Sequence, residues 1–383
     1  MMRILLNVIL LILLISSCRD SYVSEDKQVI NNEINFTINY DTIVHNDNNS
    51  TSFQLFSVFD NCDTVVFYYK FNNKNLIQRI SYFNQSVLHK DSFVLSGKYG
   101  NNISSMAVIN FDSLILFEQN EVRVISFTNP LCDFKYFHSD LDTSFLFLQD
   151  VFQDVVYNST NNSFRTSLVR YDKEDIKNHD SDIEFAAEVN ISTRKMTILN
   201  AKYSSDFKTS KRFHANAFML TSNNMDFYMS ISGISNKILK WSITNDGNIE
   251  EFDIVHKSYQ PIIELDRVNY GRKDMQNRNL SVSFIYNGFV YDHNNELFYR
   301  FFDKQMEEYT DDGYKKTWGD KVFGVNVFND DFSYNEEVVF GKRKYIYSLN
   351  RFFISKVGII ALKNRMKNKF VITRIKLDIN HEN

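Results

Sequence analysis

The sequence predicts an all-β protein: a β-propeller of about six or seven blades, each a four-stranded antiparallel meander. Three observations lead there. Apolar and polar residues alternate with a period of two in short runs along most of the chain, and clusters of Asn, Asp and Gly separate those runs. The meanders so formed recur at roughly 45–55 residues, near the period of propeller blades. Aromatic residues make up 15% of the 383 residues, including 35 Phe and 21 Tyr, a bias that favours strands. A meander of this kind cannot bury both faces alone, so neighbours must stack and the ring must close. A large β-sandwich, or two small β domains, is the alternative.

Residues 225–255 give the clearest unit. Phe227, Met229 and Ile231 alternate with Asp226, Tyr228 and Ser230. Leu239, Trp241 and Ile243 alternate with Lys240 and Ser242, and Phe252 and Ile254 with Glu251 and Asp253. Gly233 and the run Asn245-Asp246-Gly247 supply the positive φ values of tight turns, so three strands follow one another.

The same reading applies in chain order. Strands are expected at 53–59, 64–69 and 76–83, forming a first meander, and at 105–109, 113–117 and 122–125, forming a second. A third spans 144–148, 151–157 and 164–171; 183–189, 195–203 and 213–220 lead into the unit at 225. Residues 266–279, with Arg267, Arg272, Lys273 and Arg278, read as a long loop, as do 303–320 around Trp318. Strands at 282–291, 297–302, 322–328, 332–340, 343–349, 352–362 and 370–377 complete the chain.

The N-terminus carries the most specific signal. Arg3 precedes an apolar run from Ile4 to Ile15, broken only by Asn7, and the run ends in Ile15-Ser16-Ser17-Cys18. A basic start, a short apolar stretch and small residues before a cut site make a secretory signal peptide. The run falls short of the roughly 20 apolar residues that cross a bilayer. An aliphatic residue, two small residues and a Cys resemble the lipobox of bacterial lipoproteins. The resemblance implies cleavage before Cys18, diacylglyceryl transfer to its sulfur and N-acylation. Each buried CH₂ contributes about 0.8 kcal/mol, so two or three acyl chains anchor stably where one does not. Residues 1–17 are then the lipoprotein signal peptide, 18–35 the lipidated Cys and a polar flexible tether, and 36–383 a single propeller domain. Arg19 and Asp20, with Glu25 and Asp26 close behind, loosely resemble the surface-export signal of Bacteroidetes lipoproteins.

Composition narrows the partners. The formal charge is −4, and a slightly acidic exported chain offers no electrostatic case for nucleic acid. Of the three Cys, Cys62 and Cys132 either pair in an oxidising compartment or stay thiols, and nothing in their spacing places them together. The eight His include no His-Glu-x-x-His and no pair at helical ligand spacing. Asp311-Asp312-Gly313 fails as a calcium loop, because Thr310 and Gly319 would stand where carboxylates are needed. No phosphate loop or nucleophile elbow is present, and no cofactor is expected. Arg267, Arg272 and Lys273 are candidates for binding an anionic ligand such as a carboxylate or acidic sugar, against the alternative of a solvated loop with local ion pairs. Tyr286, Tyr291, Tyr299 and Arg300 suit either a carbohydrate-stacking surface or, as their alternation favours, the core.

Two stretches carry a further resemblance: Asn110-Phe111-Asp112-Ser113-Leu114-Ile115-Leu116, and Phe284-Ile285-Tyr286 to Tyr291-Asp292 followed by Leu297-Phe298-Tyr299-Arg300. With the lipobox, they resemble a Bacteroidetes lipoprotein family of unknown function related to six-bladed β-propellers. The resemblance implies fold and export and transfers no catalytic residue. The chain departs from it before the second meander, where only Gly97 and Gly100 stand in place of a Gly-rich approach. The expectation is a lipid-anchored outer-membrane lipoprotein, periplasmic or surface-facing, that binds an envelope protein or glycan; its oligomeric state is left open. The alternative is a hydrolase or lyase acting on a polysaccharide or peptide through paired carboxylates in a central cleft.

Overall fold

The computed structural model describes residues 34–44, 161–170, 186–193, 195–199, 218–223, 226–231, 236–242, 249–261, 272–346, 352–355, 358–366 and 369–378 and, between 50 and 158, the strands named below. The signal peptide, Cys18, most of the tether, Cys62, Cys132 and Arg267 lie outside them.

The described residues form six antiparallel sheets in chain order. After β1 (Asn35–Val44), the first sheet contains β2 (Ser50–Phe59), β3 (Thr64–Phe71), β4 (Lys74–Phe83) and β5 (Ser86–Leu95). The second contains β6 (Ile103–Val108), β7 (Ser113–Glu118), β8 (Glu121–Ser126) and β9 (Phe134–Phe137). In the third, two short strands, β10 (Phe145–Phe147) and β11 (Val156–Asn158), pair with opposite ends of β12 (Ser163–Arg170), followed by β13 (Ala186–Asn190) and β14 (Lys195–Leu199). The fourth contains β15 (Phe218–Ser222), β16 (Asp226–Ile231), β17 (Lys237–Ser242) and β18 (Ile249–Asp253). Helix α1 (Lys273–Val282) leads to the fifth: β19 (Ile285–Asp292), β20 (Leu297–Asp303), β21 (Val322–Phe328) and β22 (Asn335–Lys342). After the short helix α2 (Arg343–Ile346), the sixth holds β23 (Phe352–Ser355), β24 (Gly358–Met366), β25 (Lys369–Asp378) and, as its outermost strand, β1.

That last pairing joins the two ends of the chain. Asn35 stands opposite Asp378, Ile38 opposite Ile375 and Val44 opposite Lys369, with no slip in ten residues. Asn35, read from the sequence as the end of the tether, is therefore already in a sheet. Between sheets, first strands lie side by side: β2 meets β6 and β23, and β19 meets β15 and β23. The backbone N–H of Tyr291 on β19 donates to Thr221 Oγ1 on β15 at 3.0 Å.

Two apolar clusters flank the fifth sheet. One joins it to the sixth: Phe301 stacks on Phe352 with ring centroids 4.1 Å apart, and Phe323 lies 5.1 Å from Phe352. Ile34, Phe36 and Ile38 of the N-terminal segment close this cluster with Ile354, Ile359 and Ile375. Gly288 makes room for it, because a Cβ there would sit 2.7 Å from Cδ2 of Phe352. The other cluster joins the fifth sheet to the fourth through Tyr228, Ile238, Phe284, Tyr286, Phe298 and Phe302.

Several expectations need correction. β1, β5 and β9, each the outermost strand of its sheet, are strands that the alternation did not mark. Residues 352–362 are not one strand but the end-to-start of β23 and β24, turned at Gly358 with φ +109. Residues 343–349 begin as α2 rather than a strand, because the Arg343 backbone N–H donates to the Lys321 carbonyl and its guanidinium is held by Asp303. The loop expected at 266–279 gives way to α1 from Lys273, which has no side-chain N-cap and is held from outside its own sequence.

Candidate functional site

In an antiparallel meander the turns alternate between the two ends of the sheet. In the fifth sheet one end carries the tight turns at 293–296 and 329–334, and the other carries α1, the long segment 304–321 and α2. Contacts confirm that these three share an end. The Met306 backbone N–H donates to the Val282 carbonyl, and Arg278 forms an ion pair with Glu308 at 2.6 Å. Lys344 at the start of α2 reaches Asp320 at 2.9 Å.

A buried polar knot holds this end to the sheet. Asp303, the last residue of β20, accepts from Arg343 Nη1 at 2.8 Å and from Trp318 Nε1 at 3.1 Å. The Arg343 guanidinium lies 4.8 Å from the centre of the Trp318 ring. Lys321 is buried, and its ammonium donates to the carbonyls of Leu280, at 3.1 Å, and Ser283. A cation placed on the last carbonyls of α1 complements the negative end of the helix. Burial pushes the Lys321 amine down to about 8, against the pull of Asp303. Asp320 closes a capping box with Thr317 ahead of the 3-10 turn Trp318–Asp320. The backbone N–H of Thr317 and the Lys344 ammonium hold its carboxyl well below the usual carboxylate range.

Beyond the knot, residues 308–316 project as a hairpin. Tyr309 pairs with Lys315, and Gly313 turns the chain with φ +78. Tyr309 is 51% exposed, Tyr314 74% and Tyr345 on α2 57%. These exposed tyrosines stand among Asp311, Asp312, Lys315 and Lys344.

Of the three cations singled out in the sequence, only the Arg272 side chain is described. Arg272 is exposed, and its guanidinium forks onto Asp274 at 2.8 and 3.4 Å. Lys273 opens α1, and Arg267 lies outside the description. Tyr286, Tyr299 and Arg300 are core residues, and Tyr291 is half-buried.

A second polar cluster lies between the fourth and fifth sheets. His256 Nδ1 is 2.8 Å from Glu337 Oε2, and its Nε2 is 3.0 Å from the Tyr286 hydroxyl. The Ser258 backbone N–H donates to Glu337 at 2.7 Å, its hydroxyl donates to the other carboxylate oxygen, and Lys304 stands 3.5 Å away. The His256 ring stacks on Phe302 at 4.7 Å. Burial lowers the His256 pKa from 6.5, outweighing the bond to Glu337. Burial would raise the Glu337 carboxyl, but the bonds from His256 and Ser258 bring it down to about 2. The His256 side chain is 1% exposed, and this chain of bonds ties two sheets together.

The opposite end of the fifth sheet has a cleft of about 350 Å³ beside the sixth, with Asn294, Tyr299, Ile359 and Lys376 in its walls. Its buried carboxylate, Asp292, already accepts from the backbone N–H of Asn294 and the side-chain amide of Asn295.

No protein-family model matches the chain, and no curated protein matches it. It is similar in structure to a member of the DUF4221 family from Bacteroides vulgatus: TM-score 0.66 at 14% identity, covering 92% of this chain and 100% of that one. It is also similar to regucalcin, a calcium-binding protein from Agrobacterium tumefaciens, at a TM-score of 0.42 and 9% identity over 86% of this chain and 90% of that one. A third similar structure is the WD40 domain of coronin from Toxoplasma gondii, at a TM-score of 0.42 and 9% identity over 94% of this chain and 90% of that one. The first likeness establishes a shared fold, and it agrees at that level with the resemblance to a Bacteroidetes family.

Proposed function

We propose that the six sheets close into a six-bladed β-propeller, and that the protein is an exported, lipid-anchored envelope lipoprotein. It acts as a binding module for an envelope protein or glycan. One observation carries the binding role. The end bearing α1, 304–321 and α2 is fixed by the Asp303–Arg343–Trp318 knot and still leaves Tyr309, Tyr314 and Tyr345 exposed. Fold alone does not assign a function; the exposed tyrosines of this end support the binding role. The pairing of β1 with β25 supports ring closure, and the Ile15–Cys18 sequence supports the anchor.

A photo-crosslinking residue in place of Tyr314 tests the binding role in native membranes. The expected result is a discrete adduct, absent when the same residue replaces Asn294 at the other end. Adducts from Asn294 alone would contradict the assignment. Cys18→Ala should release the protein from membranes and abolish acyl labelling; unchanged residence and labelling would remove the anchor from the proposal.

A further inference from the structure

At the end of the fifth sheet away from α1, two turns line the cleft of about 350 Å³, a volume that suits a small organic ligand. One is the turn 293–296, with Asp292 at the end of β19 before it and Tyr299 on β20 after it. The other joins β23 to β24 at Gly358, where φ is +109. A Cβ at Gly358 would collide with the Ile375 carbonyl, so this turn lies close on β25 and puts no side chain into the cleft at that position. Ile354, Ile359, Ile375 and Leu377 of the sixth sheet give the cleft an aliphatic wall.

Asp292 is the buried charge in these walls, with 4% of its surface exposed. Its Oδ1 accepts from the backbone N–H of Asn294 at 2.9 Å and of Asn295 at 3.4 Å. Its Oδ2 accepts from the Asn295 side-chain amide at 2.7 Å and from the Tyr299 hydroxyl at 3.4 Å. Every one of these donors is neutral, and each oxygen has one partner at the outer limit of a hydrogen bond, which leaves room for a closer one. Among the described residues Asp292 has no ion pair. Lys376, exposed at the rim of the same cleft, stands 4.0 Å from Asp378 instead. A carboxylate withdrawn from water is costly unless it is both hydrogen-bonded and paired, and the cleft is the side from which a counter-charge can reach it.

We propose that this cleft binds a free α-amino acid with an aliphatic side chain. Its ammonium donates to Asp292, its carboxylate turns to Lys376 at the rim, and its side chain lies on Ile354, Ile359 and Ile375. An ammonium supplies the missing charge together with hydrogen bonds. A calcium ion would ask for about six to eight oxygen ligands, and Asp292 is the carboxylate at hand. Tyr299 is the one aromatic residue among the described walls, and it is buried, so the wall suits an alkyl side chain better than a sugar ring. The cleft lies at the opposite end of the sheet from Tyr309, Tyr314 and Tyr345, and this proposal does not depend on the binding role given to them.

Isothermal titration calorimetry of the full-length protein with L-leucine tests it. Leucine should bind saturably at millimolar concentration or below. Isocaproate, which is leucine without its ammonium, should bind at least about tenfold more weakly. Leucinamide, which lacks the carboxylate, should lose no more than about fivefold, because Lys376 is exposed. Asp292→Asn keeps an acceptor for the turn and should erase the preference for leucine over isocaproate. Lys376→Gln, an exposed change, should erase only the preference over leucinamide, and it serves with the ligand series if Asp292→Asn fails to fold. Absence of saturable leucine binding, equal binding of isocaproate, or a folded Asp292→Asn protein that still prefers leucine would overturn the proposal. Glucosamine binding more tightly than leucine, or calcium chloride displacing leucine, would overturn the choice of ligand.

Discussion

Along β20 successive residues serve different neighbours. Leu297, Tyr299 and Phe301 enter the cluster shared with the sixth sheet, whereas Phe298 and Phe302 enter the cluster shared with the fourth. The first junction is nearly all aliphatic and phenyl, and the N-terminal strand closes it. The second encloses Arg300, His256 and Glu337. The Arg300 guanidinium lies 3.4 Å from the Tyr286 ring centre and donates to the carbonyl of Asn236, just ahead of β17 in the fourth sheet, at 2.8 Å. One strand thus packs one face by volume and ties the other by direction. Volume-packed cores tolerate rearrangement that keeps size, whereas directed bonds between buried polar groups accept few geometries. The apolar junction should supply more of the stability, and the polar one should set how the fourth and fifth sheets sit together.

The two junctions should fail differently. Phe301→Ala would leave a cavity against Phe352 and Phe323 and should cost about 3–5 kcal/mol. Urea titration should show a lower midpoint with an unchanged slope. A loss under 1 kcal/mol would mean that the apolar face is not packed as described. On the polar face, Glu337→Ala strips His256 and Ser258 of their common partner and should cost about 2–3 kcal/mol. Glu337→Gln keeps an acceptor and should cost about half as much. Equal losses would show that the charge, and not the bonding geometry, holds the junction.

The smallest effect, and the one that separates the faces most sharply, is the response to pH. The Glu337 carboxyl is depressed in the folded protein, so its contribution is complete above its ordinary value of 4.5 and is lost as the pH falls toward about 2. The folded His256 also binds its proton less readily than in the unfolded chain. Its neutral form is therefore favourable above 6.5, and stability declines as the pH drops below that value. Both groups make acid destabilising. Stability measured from pH 7 to pH 3 should fall less steeply below 4.5 in Glu337→Gln than in the parent. Phe301→Ala should shift the whole curve without changing its shape. Parallel curves for the parent and Glu337→Gln would remove Glu337 from the account.

Several strands were legible although both of their faces are buried, because short apolar runs bounded by turn residues mark a strand whether one face is covered or two. β21 was expected at the residues it occupies, and β16 and β17 within one or two. The outermost strands were harder, since they have a neighbour on one side only and need a less regular apolar face. β5 interrupts its apolar ends with His89-Lys90-Asp91. β1 alternates Phe36, Ile38 and Tyr40, but its partner lies at the far end of the chain, with no adjoining turn to announce the pairing. The polar clusters left no local trace. His256 and Glu337 are separated by 81 residues, and Asp303 and Arg343 by 40. α1 was read as a loop because much of what holds it, the Lys321 ammonium and the Arg278–Glu308 pair, comes from packing against 304–321.

The pairing of β1 with β25 joins the chain ends, closes the apolar junction and carries the proposed propeller. Native-state hydrogen exchange of the mature protein, read peptide by peptide, tests it most directly. Amides of 35–44 and 369–378 should be protected together and should open only with global unfolding. Rapid exchange across 35–44 while 369–378 and the fifth sheet stay protected would contradict the closed ring.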